Sequence, residues 1–160
     1  SNCNFVSIKT AEEMYDAVMH HISGMDVYIG TAAVSDYSPA KASDSKIKKD
    51  GSNYPMVLEL KENQDILKSV SELEQRPYLV GFAAETNDLI KNAEKKLSNK
   101  NLDLIIANDV SNKDIGFDSD DNEVTLITEK EKHLIERQNK RKVSKKIIDF
   151  ISGRINDQNN

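Results

Sequence analysis

Cysteine and histidine are scarce in this chain, and their scarcity excludes whole classes of site. Cys3 is the single cysteine among 160 residues, so an internal disulfide is impossible and a reducing cytoplasm is the expected compartment. With only three histidines, the composition also argues against a Cys/His zinc site. No apolar run approaches the roughly 18 residues of a membrane span, and residues 1–5 lack the features of a signal peptide.

Net charge and chain length limit the classes of function and the number of domains that the chain can have. The net charge of -5 argues against a protein that binds nucleic acid over its whole surface. Hydrophobic residues at 38% and charged residues at 31% are typical of a globular domain, and the length fits one core. Without an internal repeat or a second core, residues 1–155 are predicted to form one domain, and residues 156–160 a frayed tail.

The strand signals predict a largely parallel sheet. Three apolar runs rich in small and β-branched residues are typical of strands buried on both faces, and they lie at residues 27–34, 78–83 and 102–107. Weaker strand signals lie at residues 5–8 and 56–60, with a polar loop at residues 35–55 between the strands.

Helix signals separate these strands. Thr10 and Glu13 form a capping box at the start of the first helix, and Asn63 is the expected cap of a helix that runs to about Leu73. Further helices are predicted over residues 87–99 and 143–151.

Residues 123–138 alternate around a charged turn and predict an antiparallel hairpin. Because parallel neighbours need crossover connections, the predicted fold is α/β. It is a Rossmann-like three-layer α/β/α arrangement with a mostly parallel sheet and the hairpin appended.

Polar residues follow each of the three buried strand signals. Ser35, Asp36 and Tyr37 follow the first, residues 85–87 the second, and residues 108–109 the third. Ligands of open parallel sheets bind beyond the carboxyl ends of the strands, so a ligand site is predicted there. Each polar stretch considered alone is more often a simple cap or turn, but three of them at the strand ends favour a site.

Lysines supply the second candidate feature. Lys46, Lys48 and Lys49 lie in the long loop, and Lys96 and Lys100 lie four residues apart on one side of a predicted helix. Ammonium groups suit phosphate oxygens, and a loop that closes over a triphosphate would exclude water. On composition alone a solvated charge run is the favoured interpretation of residues 46–49, and a solvated helix end is the alternative for Lys96 and Lys100. The chain contains no phosphate-binding glycine loop, no HExxH motif and no nucleophile elbow.

An ordered series of motifs resembles bacterial phosphopantothenoylcysteine synthetase, also named phosphopantothenate–cysteine ligase. The series covers about residues 5–155. It comprises Ala-Ala-Val-Ser-Asp-Tyr at 32–37, Lys-Ile-Lys-Lys at 46–49, Asn-Gln-Asp-Ile at 63–66, Arg-Pro-Tyr-Leu-Val-Gly-Phe-Ala-Ala-Glu-Thr at 76–86, Lys-Asn-Leu-Asp-Leu-Ile-Ile-Ala-Asn-Asp-Val at 100–110 and Gly-Phe-Asp-Ser-Asp-Asp-Asn at 116–122.

The resemblance implies a CTP-dependent ligation in coenzyme A biosynthesis. In that family CTP and 4'-phosphopantothenate form an acyl-cytidylate with Mg²⁺, and the amine of cysteine then releases CMP. It also implies a homodimer, often joined to an FMN-dependent decarboxylase, with no nucleic-acid or membrane partner.

Residues that match the family motifs carry the implied roles. Lys46 is the expected catalytic residue at the triphosphate, supported by Lys48 and Lys49, and Asp65 lies near the triphosphate or its metal. The implied CTP-binding set is Asp36, Lys46, Asn63, Gln64, Asp65, Ile66, Phe82, Lys96 and Lys100.

The chain departs from the family pattern in two places. Gln64 replaces the usual proline, and the opening strand, glycine-rich turn and asparagine-bearing loop of the family are missing before residue 5. We therefore expect a fragment that binds CTP weakly and does not complete the ligation. A CTP-binding module without turnover is the alternative function, and a pure interaction domain is the third.

Overall fold

Five strands form one mixed sheet in the order β1-β4-β5-β6-β7. The structure is a computed structural model that describes residues 3–41, 43, 45–48, 56–85, 87–109 and 119–158. Its elements are α1 (Ala11–His21), β1 (Val27–Gly30), β2 (Tyr37–Pro39), β3 (Leu60–Glu62), α2 (Ile66–Ser71), β4 (Tyr78–Glu85), α3 (Leu89–Asn99), β5 (Leu104–Asp109), β6 (Asp121–Ile127), β7 (Lys132–Asn139) and α4 (Lys140–Gln158).

The α/β architecture confirms the predicted fold class. β1, β4 and β5 are parallel, because α2 and α3 provide the crossovers. β6 and β7 form the predicted hairpin, and β6 pairs antiparallel with β5, so the hairpin extends the main sheet. α4 continues through Gln158, so residues 156–158 are helical.

Two apolar layers cover the sheet. One layer packs Leu79, Ala83 and Ile105 against α1, α2 and α3, and the other packs Val80 and Ile106 against α4. Alternate residues of a strand point to opposite faces, so neighbouring positions in β4 and β5 serve different layers. None of the helices in the described ranges is long and apolar enough to cross a bilayer.

Three strand predictions are wrong in detail. Residues 5–8 form no strand, and Phe5 is 90% exposed, because no described strand pairs with this segment. The strand predicted at residues 27–34 ends at Gly30, where its pairing with β4 ends. The strand predicted at 56–60 lies instead at Leu60–Glu62, where it pairs with β2 inside the predicted loop.

The cap of α2 also differs from the prediction. Asp65 caps this helix by accepting from the Lys68 N–H, and the helix ends at Ser71. Asn63 cannot act as the cap because its side chain bonds to Ser35 and Ser38. The capping box of Thr10 and Glu13 is present as predicted.

Candidate functional site

A cavity of about 730 Å³ opens at the carboxyl ends of the parallel strands. Ligand pockets commonly enclose about 300–1,000 Å³, so the cavity has room for a nucleotide. It is lined by residues of the loop after β1, the segment before α2, and the ends of β4, β5 and α3. These residues include Thr31, Ala32, Ala33, Val34, Ser35, Asp36, Asn63, Gln64, Asp65, Ile66, Phe82, Ala84, Lys96, Lys100 and Asn108.

Two lysines of α3 and its C-terminal cap lie at one wall of the cavity. Lys96 Nζ donates to the Phe82 carbonyl oxygen at 2.7 Å. Lys100 Nζ lies 2.8 Å from Asp65 Oδ2. Both ammonium groups are therefore held in position by acceptors of other elements. The prediction that these lysines share one side of the helix is confirmed, because both line the same cavity.

Asp65 connects the start of α2 to this wall. Its Oδ1 accepts from the Lys68 N–H at 3.1 Å, while Oδ2 pairs with Lys100. Burial of the carboxyl opposes its charged form, but the hydrogen bonds from Lys100 and Lys68 and the charges of Lys100 and Lys96 outweigh that effect. The pKa of Asp65 is consequently lowered from its ordinary value. Asp65 is a carboxylate at neutral pH that keeps Lys100 in place.

Asn63 fastens the loop after β1 to the segment before α2. Its Nδ2 donates to the Ser35 carbonyl oxygen, and its Oδ1 accepts from Ser38 Oγ, both at 2.8 Å. The Asn63 N–H donates to the Asp36 carbonyl oxygen, also at 2.8 Å. Since both side-chain polar atoms hold this loop, Asn63 shapes the cavity wall.

Asp36 and Tyr28 contribute polar groups to the same space. Asp36 lies at the end of the loop after β1, where the backbone bond to Asn63 holds it. Burial raises the pKa of Tyr28, so its hydroxyl is protonated at neutral pH and remains a hydrogen-bond donor. The cavity lining thus combines carboxyl groups of Asp36, Glu62 and Asp65, phenols that include Tyr28, and the two ammonium groups of Lys96 and Lys100.

Gly81 serves packing beneath the cavity. A Cβ atom at this position would come within 2.8 Å of Leu102 Cδ1 and 3.4 Å of Leu67 Cδ1. Both leucine side chains belong to or pack against the helical layer. Leucine side chains therefore fill the space beside the Gly81 backbone, and a ligand does not reach it there.

The structure brings most of the predicted residues together. Eight of them line the cavity: Asp36, Asn63, Gln64, Asp65, Ile66, Phe82, Lys96 and Lys100. Lys46 and Lys48 are exposed and are not among the lining residues. Lys49 and Thr86 lie outside the described residues, as do residues 110–118 of the last motifs.

Asn108 is one of the polar residues predicted at the strand ends, and it lines the cavity, although it is not in the implied CTP-binding set. It lies in β5 beside Ala84 of β4, and its Oδ1 is buried without a hydrogen-bond partner in the part of the chain that the structure describes. The sequence signal was a polar side chain directly after a buried apolar run, which alone also fits a simple strand end.

No group of three metal-ligating side chains exists among the described residues. Among the described residues, Asp36, Glu62 and Asp65 are the carboxyl side chains that line the cavity, and both oxygens of Asp65 are already engaged. Mg²⁺ is commonly held by one or two carboxylates together with substrate phosphates. The cavity therefore fits a metal that arrives with a nucleotide, with Asp36 and Glu62 as the carboxylates available to it.

Comparisons with known proteins agree with the motif series. Residues 1–154 match the family described as DNA/pantothenate metabolism flavoprotein C-terminal domain. The chain is similar to the Coenzyme A biosynthesis bifunctional protein CoaBC of Vibrio vulnificus, with 48% identity over 126 residues that cover 78% of this chain and 31% of that protein. Its similarity to CoaBC of Escherichia coli is 38% over 156 residues, which cover 96% of this chain and 38% of that protein.

Solved structures share the fold. A crystal structure of the C-terminal domain of CoaBC superimposes with a TM-score of 0.73 at 33% identity, over 95% of this chain and 66% of that chain. The DNA/pantothenate metabolism flavoprotein from Streptococcus pneumoniae superimposes with a TM-score of 0.72 at 23% identity, over 91% of this chain and 71% of that chain.

The chain spans about a third of the length of these curated relatives. The family match nevertheless covers almost all of its residues, and the motifs had predicted the same relationship. The chain belongs to the family of DNA/pantothenate metabolism flavoprotein C-terminal domains.

Proposed function

We propose that this chain acts in coenzyme A biosynthesis, in the CTP-dependent ligation of 4'-phosphopantothenate to cysteine. Its relatives carry the name of a coenzyme A biosynthesis bifunctional protein, and the motif series resembles the ligase of that pathway. The proposal includes attachment to or partnership with an FMN-dependent decarboxylase, because those relatives are bifunctional.

The observation that carries the proposal is the pair of Lys96 and Lys100, here named the lysine wall, which lines the cavity together with the loop after β1. Lys96 and Lys100 present two held ammonium groups to one cavity, and triphosphate oxygens are their natural partners. The loop of residues 31–36 lies across the strand ends from them. Its backbone groups can hydrogen-bond a pyrimidine edge, as the resemblance implies for CTP.

The proposed reaction has two displacement steps. A carboxylate oxygen of phosphopantothenate attacks the α-phosphorus of CTP, the bond to the β-phosphate breaks, and pyrophosphate leaves. The amine nitrogen of cysteine then attacks the acyl carbon, CMP leaves, and the amine releases a proton. Both steps develop negative charge on oxygen, which positioned cations stabilise. Lys96 and Lys100 bind and orient the triphosphate in this proposal.

Lys46 is proposed to complete the cation set from the loop before β3. It is exposed, so its ammonium group reaches the triphosphate only when the loop closes, as in other enzymes that exclude water by loop closure. Lys48 and Lys49 support the same loop in the proposal. Mg²⁺ bound with CTP would neutralise phosphate charge. Asp65 was the carboxylate expected near this metal, but its two oxygens are already engaged, so Asp36 and Glu62 are the lining carboxylates that would hold it.

CTP selectivity is the first test. Calorimetry with CTP and ATP, each with Mg²⁺, is expected to give tighter binding of CTP because a purine would clash in a pocket shaped for the smaller base. A Lys96→Ala, Lys100→Ala double variant is the matched control and should lose binding of both nucleotides. Equal or tighter binding of ATP to the wild-type chain would contradict the proposal.

Turnover separates the ligase from a CTP-binding module. Mass spectrometry of the chain with CTP, phosphopantothenate, cysteine and Mg²⁺ detects acyl-cytidylate and phosphopantothenoylcysteine separately. CTP binding without either species would select the module, which is the second candidate because the cavity retains its lysine wall whether or not the later steps proceed. Absence of any nucleotide binding would select an interaction domain.

A further inference from the structure

Tyr28 brings a hydroxyl group to the cavity that no group in the described part of the chain binds. The residue lies in β1 and lines the cavity, and its ring packs in the layer of α1, α2 and α3. Its hydroxyl forms no hydrogen bond with a described residue, and it is not one of the fully buried polar atoms. The hydroxyl is therefore open to the cavity, where a bound molecule can satisfy it. Tyr28 precedes the motif at residues 32–37, so the resemblance assigns it no role.

Gly30 allows the phenol ring to extend along β1 toward the cavity. Residues 28 and 30 of a strand point to the same face. A Cβ atom at Gly30 would lie 3.3 Å from Tyr28 Cε1, and Cε1 is the ring atom next to the carbon that bears the hydroxyl. The ring thus lies over Gly30, in the direction of the carboxyl end of β1, where Gly30 and Thr31 line the cavity.

The hydroxyl end of Tyr28 also meets the first turn of α2. The same Cβ position at Gly30 would lie 3.1 Å from Leu67 Cδ2. Leu67 follows closely on Asp65, the cap of α2 that pairs with Lys100. Because α3 packs in the same layer as Tyr28, the phenol and the lysine wall reach the cavity from one face of the sheet.

We infer that Tyr28 binds the nucleotide, with its O–H donating to an oxygen of the phosphate chain that the lysine wall holds. The inference rests on the proposed function for the presence of a triphosphate. Cations at this face favour anionic oxygens there, and an anionic oxygen is a stronger acceptor than a neutral one. Burial raises the pKa of Tyr28, so at neutral pH the phenol donates a proton to the hydrogen bond and adds no negative charge beside the phosphates.

The test removes the hydroxyl alone. Tyr28→Phe keeps the ring that lies against Gly30 and Leu67, and Tyr78→Phe is the matched control. Burial also raises the pKa of Tyr78, another strand tyrosine, but this residue packs in the α4 layer and is not among the lining residues. Calorimetry on the full 160-residue chain titrates CTP and inorganic tripolyphosphate, each with Mg²⁺. Phosphopantothenate is titrated separately in the presence of α,β-methylene CTP, which cannot release pyrophosphate.

Tyr28→Phe should weaken the binding of CTP and of tripolyphosphate by the same factor, roughly 10-fold, as expected for one lost hydrogen bond to a charged oxygen. Tripolyphosphate has neither ribose nor base, so an equal loss locates the contact on the phosphates. Phosphopantothenate binding should change by less than about 2-fold, and the melting temperature of the free chain by less than about 2 °C. Tyr78→Phe should leave the binding of all three ligands unchanged.

Three outcomes overturn the inference and leave the proposed function in place. A loss for CTP without a loss for tripolyphosphate would place the hydroxyl on the ribose or the base. A loss confined to phosphopantothenate would place it on the acid. Unchanged binding of every ligand in Tyr28→Phe would mean that the hydroxyl contacts only water. A wild-type chain that binds neither CTP nor tripolyphosphate would instead refute the proposed function, and the inference with it.

Discussion

Asp65 performs two separable tasks, and two substitutions distinguish them. Asp65→Asn keeps an oxygen that can accept from the Lys68 N–H but removes the charge that pairs with Lys100. Asp65→Ala removes both interactions. Asparagine and aspartate are equally good helix caps. The loss of stability in Asp65→Asn relative to wild type therefore measures the ion pair with Lys100. The additional loss in Asp65→Ala measures the cap.

The magnitudes follow from exposure and geometry. The side chains of Lys100 and Asp65 are 28% and 41% exposed, so solvent screening limits their pairing to about 1 kcal/mol or less. Loss of a capping side chain costs about 0.5–2 kcal/mol. Asp65→Asn should therefore lower the free energy of unfolding by less than ~1 kcal/mol, and Asp65→Ala by roughly 1–3 kcal/mol.

The pH dependence gives an independent check. The pKa of Asp65 is lowered by folding, so its charge stabilises the fold above the ordinary value of 3.8 and loses that effect as pH falls through the lower folded value. The gap in melting temperature between wild type and Asp65→Asn should be full at pH 6 and should narrow progressively as the pH is lowered below 3.8. Calorimetric melting over that range measures it.

A double-mutant cycle completes the argument. Lys100→Ala should destabilise the wild-type chain slightly and the Asp65→Asn variant hardly at all, since the pair is already broken. CTP binding should fall about 10-fold or more in Lys100→Ala, because a charge-assisted hydrogen bond to phosphate is lost. Equal destabilisation by Asp65→Asn and Asp65→Ala, or a pH gap that does not narrow, would refute this account.

Four further predictions concern other parts of the molecule. Lys46→Ala should alter the free energy of unfolding by less than about 0.5 kcal/mol, yet cut the ligation rate on the order of 100-fold; a large fall in melting temperature with normal turnover would reverse this assignment. Asn63→Ala should weaken CTP binding by loosening the loop after β1, as measured by calorimetry, and unchanged affinity would remove its positioning role. Asp103→Ala should lower the free energy of unfolding by about 1–3 kcal/mol, because Asp103 accepts two hydrogen bonds from Arg76 and one from the Leu79 N–H. CTP binding should stay normal in this variant. Unchanged stability with weaker CTP binding would count against a structural role of Asp103. The chain should form dimers in sedimentation experiments, since β7 is an edge strand of the sheet, and a monomer at high concentration would contradict this.

Local sequence patterns were sufficient to predict those features that depend only on residues close to one another in the sequence. The capping box at Thr10 and Glu13 needs groups three residues apart, and both bonds are present. The buried runs that became β4 and β5 combine apolar character with β-branched residues, so burial on both faces was readable from composition. Lys96 and Lys100 were placed on one side by helical spacing alone.

Local patterns failed where the outcome depends on a distant partner. Residues 5–8 have strand-like side chains, but they form no strand beside any described segment. Asn63 is an excellent cap by type, yet Ser35 and Ser38 bind its side chain and Asp65 caps the helix. For Asn63 the deciding factor was a hydrogen-bond partner 25 residues away in the sequence, Ser38. For residues 5–8 it was the lack of a pairing strand among the described residues.

The order of the motifs predicted the family, and the alternation of strands and helices predicted the sheet. The Asp65–Lys100 contact, the hydrogen bond from Lys96 to the Phe82 carbonyl oxygen and the hydrogen bonds that hold Asn63 belong to the folded chain only. Periodicity of 2 or 3.6 residues records which side of an element is apolar. It carries no information on which two polar groups meet when distant elements pack, because that depends on strand order and crossover geometry.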